Sequence, residues 1–76
     1  MLKALVEHII KSLVDEPGVV AVTERVEDHR RILSVTVGEA DLGRVIGKDG
    51  QTIRAIRILA SAVTPHGEDV AVDVSK

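Results

Sequence analysis

Residues 44–57 read RVIGKDGQTIRAIR: Gly47 and Gly50 bracket Lys48 and Asp49, between an apolar lead-in and an apolar, basic run-out. On the N-terminal side, EADLGRVI puts Leu42, Val45 and Ile46 on one face of a short helix. On the C-terminal side a second helical period runs from Gln51 to about Val63, and TPHGED ends it with Pro65 and Gly67. GKDG therefore links two helices that must meet at a tight angle, a turn that needs φ values only glycine adopts cheaply. A purely structural link would account for both glycines. It would not account for the company: Arg44 just before, Lys48 within, and Arg54 and Arg57 just after. A helix starting near Gly50 points its free N–H groups and positive dipole end back at this loop. Without Cβ atoms at Gly47 and Gly50, an anionic backbone can come close.

Working outward, Leu2, Leu5, Val6, Ile9, Ile10, Leu13 and Val14 recur at spacings of three and four, with Lys3, Glu7 and Lys11 opposite. The pattern predicts an amphipathic first helix, ended at DEPGV by Pro17 and Gly18. Two β-branched runs follow, VVAVTERV and RRILSVTV, separated by the charged EDHR. They predict a hairpin in which Leu33, Val35 and Val37 face the core and Ser34 and Thr36 face away. At the end, VAVDVS alternates Val70, Val72 and Val74 with Ala71, Asp73 and Ser75, as a half-buried strand does. The order is α-β-β-α-α-β, and one three-stranded sheet covered on one face by three helices would satisfy every apolar stripe.

The 76 residues leave room for one domain, residues 1–76, which at this size buries only roughly 60% of its unfolded surface. There is no cysteine, so neither disulfides nor thiolates on a metal can add stability, and the usage suits a reducing cytoplasm. MLKALVEHIIKSLVDE interleaves Lys3, Glu7 and Lys11 with its apolar positions and reads as neither signal peptide nor membrane span. Net charge is −2, yet residues 42–63 carry four basic residues against one acid, a local +3 in an otherwise acidic chain. The absence of Phe, Tyr and Trp removes the aromatic platforms of base-stacking modules. A nucleotide P-loop is excluded, because only three residues separate Gly43 from Gly47 and Asp49 stands where a metal-binding Ser or Thr belongs. No G-x-G occurs, so the dinucleotide fingerprint is absent too.

VIGKDGQTIRAIR resembles the I-G-x-x-G signature of KH domains, and the element order looks like the type II arrangement. Length and order together resemble the small stand-alone bacterial KH proteins of the KhpA type. The resemblance implies an α+β fold with a three-stranded mixed sheet and three helices on one face. It also implies binding of single-stranded RNA, or single-stranded DNA, with the loop clamping about four nucleotides. On this chain Gly47, Lys48, Asp49 and Gly50 would hold phosphates, and Arg44 and Arg54 would add phosphate contacts. An aliphatic groove would form from Val45, Ile46 and parts of the second strand. Asp49 brings negative charge into the clamp, and as an N-cap it would bond the N–H of Gln51 or Thr52. Weak, salt-sensitive binding of low sequence preference is expected.

The last helix has more apolar faces than a small domain can enclose. Ile53, Ile56, Ala60 and Val63 make a core stripe, leaving Ala55, Ile58, Leu59 and Ala62. These predict a dimer, with a second copy or a related KH protein, formed around Ile58. His8, His29 and His66 show no metal-ligand spacing, and Ser12, Ser34 and Ser61 have no adjacent base. The acidic clusters Glu24, Glu27, Asp28 and Glu39, Asp41 read as charged turn residues. The expectation is a non-enzymatic RNA chaperone or post-transcriptional regulator with no cofactor, no metal and no small-molecule substrate. The competing expectation is an interaction adaptor that pairs with another KH protein and leaves RNA to its partner.

Overall fold

The computed structural model describes residues 2–64 and 68–76; Pro65, His66 and Gly67, expected to end the last helix, lie outside them. The main elements are α1 (Leu2–Leu13), β1 (Ala21–Glu27), β2 (Arg30–Thr36), α2 (Leu42–Ile46), α3 (Gln51–Ala62) and β3 (Asp69–Ser75). Short 3₁₀ turns at Pro17–Val19, Glu39–Asp41 and Lys48–Gly50 join them. The sheet runs β1-β2-β3, with β1 antiparallel and β3 parallel to the central strand β2. Parallel pairing forces a crossover between β2 and β3, and α2 and α3 are that crossover. α1 lies over β1, and α2 and α3 lie over β3, so all three helices cover one face.

Register explains the core. Val22, Val35 and Val74 form one row across the sheet, and Leu33 and Val72 belong to the next. Leu33, Val35, Val45, Val6, Ile10 and Ala60 are fully buried, and Val37 and Ile56 nearly so. Each such burial contributes about 1.5–3 kcal/mol relative to exposure. At the hairpin end the same face runs past the helices and turns polar. Arg31 there forms ion pairs with Glu24 and Glu68, the latter at 2.9 Å, and the two carboxylates hold its guanidinium above its ordinary pKa. The hairpin turn is Asp28-His29, both with positive φ, 46° and 66°, the twist that lets two residues connect right-twisted strands.

Two expectations are corrected. Val63 is 48% exposed instead of in the core stripe, because α3 stops at Ala62 and the backbone leaves the helix there. Asp41, read as a charged turn residue, is only 2% exposed. Its two carboxylate oxygens accept the backbone N–H groups of Asp15 and Glu16, each at 3.1 Å, and so fix the segment that follows α1 onto the start of α2.

Candidate nucleic-acid interface

α2 ends because Gly47, at φ 78° and ψ 170°, occupies a backbone region that is essentially glycine's alone. Its N–H still closes α2 by donating to Gly43 O at 2.8 Å, and its carbonyl accepts from Gly50 N at 3.1 Å. Asp49 (φ 56°) and Gly50 (φ 74°) are both left-handed, which reverses the chain within three residues and starts α3. A Cβ on Gly47 would collide with the Thr52 side chain and come within 2.9 Å of Thr52 N. A Cβ on Gly50 would meet only Arg54 Nη2, at 3.7 Å. Close approach of the turn to the first turn of α3 thus depends on the first glycine; the second supplies backbone freedom alone.

Lys48 and Asp49 are exposed at the tip of this turn. Asp49 does not cap α3. Gly50 occupies that position and no side chain bonds the first-turn amides, because the reversal places the carboxylate one residue too early. What Asp49 contributes to order is its carbonyl, which accepts from Arg54 Nη2 at 2.9 Å and ties the turn to α3. Beside the turn, Gly50, Ile53, Arg54, Arg57 and Val72 line an open groove of about 230 Å³ between α3 and the edge strand β3. The groove's aliphatic side chains are therefore Ile53 and Val72. Val45 is fully buried in the core beneath the turn, Ile46 is half-buried, and β2 is the central strand with Leu33 and Val35 sealed under the helices. None of the four lines the groove.

Of the basic residues flanking the turn, Arg54 reaches the groove and Arg44 does not line it. Arg44 Nη1 donates to Asp15 Oδ1 at 3.0 Å, on a solvent-exposed pair worth at most about 1 kcal/mol. Arg57, three residues beyond Arg54, was in the basic cluster of the sequence but not among its expected contacts; the i, i+3 spacing puts both on one face of α3. Ala55, Ile58, Leu59 and Ala62 lie outside this groove and all are exposed, Ile58 by 61% and Leu59 by 52%. α3 thus has a core face, a basic groove face and an apolar outer face. Among the described residues no helix is long and apolar enough to cross a membrane, and no three His, Asp or Glu side chains cluster as metal ligands do.

A mixed sheet in the order β1-β2-β3, helices on one face and a G-x-x-G turn between two of them define a type II KH domain. The comparisons with known proteins agree. The family model described as KhpA/KhpB, KH domain matches residues 3–74, and the chain belongs to that family. It is 37% identical to RNA-binding protein KhpA of Thermotoga maritima, over 96% of this chain and 97% of that one. It is 42% identical to RNA-binding protein KhpA of Streptomyces coelicolor, over 97% of this chain and 91% of the relative. No solved structure matches the chain significantly.

Proposed function

We propose that residues 1–76 act as one cytoplasmic KH domain that binds single-stranded RNA, clamping its backbone at Gly47–Gly50 and carrying its bases along the α3–β3 groove. The observation that carries this reading is the turn itself. Its first glycine lets the backbone close against α3, Lys48 stands exposed at the tip, and the basic groove opens directly beside it. Relatives across most of their length are named RNA-binding proteins, which supports the same reading. With no aromatic side chain, base contacts are aliphatic, so discrimination between bases is weak and phosphate neutralisation dominates. Such binding suits an RNA chaperone or post-transcriptional regulator. Single-stranded DNA, which shares the phosphate chemistry, binds the same clamp.

Lys48→Asp tests the clamp cleanly, since it leaves both glycines in place and turns a local cation into an anion. Fluorescence anisotropy with a labelled single-stranded RNA is expected to show an affinity loss of at least about tenfold, with duplex RNA bound poorly by both proteins. Unchanged affinity in a folded variant removes the clamp.

The outer face of α3 carries the second part of the reading: pairing with another KH chain, a second copy or a related protein, around Ile58. Ala55 and Ala62 lie one turn away on either side of the exposed Ile58 and Leu59, so a partner helix can approach closely. Two clamps on one particle raise avidity for long RNA. In sedimentation velocity at micromolar concentration, wild type is expected as a dimer and Ile58→Asp as a monomer. A wild type that sediments as a monomer, or an Ile58→Asp protein that remains dimeric, contradicts the pairing. A protein that pairs fully yet binds no RNA alone is instead an interaction adaptor.

A further inference from the structure

The groove beside the turn does not end at Arg57. A second open cavity, of about 500 Å³, is lined by Arg57, Ile58 and Ser61 of α3, by Asp69 and Val70 of β3 and by Arg30 of β2. Arg57 lines both cavities, which places them next to one another along α3 and β3. The larger cavity lies within the ~300–1,000 Å³ range of small-ligand sites. Its charges are unusual for this molecule. Arg25, Arg31 and Arg44 each pair with a carboxylate, whereas among the described residues Arg30 and Arg57 form no ion pair and no side-chain hydrogen bond. Arg30 stands opposite Asp69 in the β2–β3 register without bonding to it. Two guanidiniums left without carboxylate partners around one cavity suit an anion with fixed geometry.

We infer that a single strand longer than the four nucleotides at the turn continues into this second cavity. There Arg30 and Arg57 neutralise one further phosphate, and Val70 meets its base through an apolar contact. The inference rests on the clamp reading and extends the bound length beyond it.

Salt dependence measures the extension without being confused by the extra binding registers of a longer strand. Each phosphate neutralised on a single strand contributes about −0.7 to the slope of log K against log salt. Oligouridylates of four and seven nucleotides are titrated against wild type and Arg30→Ala across a range of salt. Wild type is expected to give a slope steeper by about 0.7 or more on the longer strand. Arg30→Ala is expected to lose that increment while its slope and affinity on the four-nucleotide strand stay unchanged, which also reports an intact fold. Equal slopes for the two lengths in wild type, or an increment retained in Arg30→Ala, overturn the second cavity and leave the clamp standing. No binding of either strand by wild type overturns the clamp, and the extension with it.

Discussion

Gly47→Ala is expected to lower stability by about 3 kcal/mol, against about 1 kcal/mol for Gly50→Ala. Both positions have positive φ, 78° and 74°, so both substitutions force an L residue into strained backbone. They differ in surroundings. At Gly47 the added methyl also enters the space of Thr52, including its backbone nitrogen, and overpacking of this kind costs a further ~1–3 kcal/mol. At Gly50 the methyl meets nothing nearer than the end of the Arg54 side chain, which can move. Urea unfolding of the two variants beside wild type checks the ranking. Equal losses would mean that the turn relaxes away from α3 without cost, and that its closure is not built into the fold. Thr52→Ala should partly rescue Gly47→Ala, because it removes the side chain that the methyl strikes.

The second large effect belongs to Asp41→Ala, expected to cost about 2–4 kcal/mol. The carboxylate is buried and accepts two backbone N–H groups, from Asp15 and Glu16. Removing it leaves both donors, in a part-buried segment, without a partner, at ~1–3 kcal/mol for each donor that water cannot reach. Asp41→Asn keeps one acceptor oxygen and should lose roughly half as much. Thermal unfolding of the pair decides the matter. If Asp41→Ala unfolds with wild type, the segment after α1 is held by other contacts. The consequence reaches the site indirectly, since Asp41 precedes α2, and α2 delivers the chain to Gly47.

Periodicity made most of the fold legible. The strict alternation of Leu33, Val35 and Val37 and the three-four spacing through α1 each define a buried face without ambiguity, and those faces meet in the core. The G-x-x-G turn was legible because glycines with positive φ leave a mark in composition. Less could be read where the outcome depends on which elements become neighbours. Val45 looks in sequence like groove lining, yet its side chain is spent on the core, where Leu42 of the same short helix also packs. Val72 sits in an alternating strand like any other, and only the placement of β3 at the sheet edge beside α3 brings it to the groove. Asp41 and Asp49 show the same limit for charge. Both stand beside helix starts, and whether a carboxylate turns inward to bond amides or outward to solvent depends on the backbone angles between them and the helix.

Arg44 and Arg54 illustrate what local charge does and does not convey. Both belong to the +3 stretch, but the end of α1 brings Asp15 to Arg44, while the Asp49 carbonyl and the groove hold Arg54. A contact between residues 15 and 44 has no local signature; one between 49 and 54 follows from the helical turn that separates them.

Binding at the turn is read residue by residue from a titration of the ¹⁵N-labelled protein with a four-nucleotide single-stranded RNA, followed by amide chemical shifts. The largest changes are expected at Gly47, Lys48, Asp49 and Gly50, continuing through Ile53, Arg54 and Arg57 to Val72, with the uncovered sheet face around Thr23 and Ser34 unmoved. Shifts concentrated on that sheet face, or on Ile58 and Leu59 with the turn unmoved, would contradict binding at the turn.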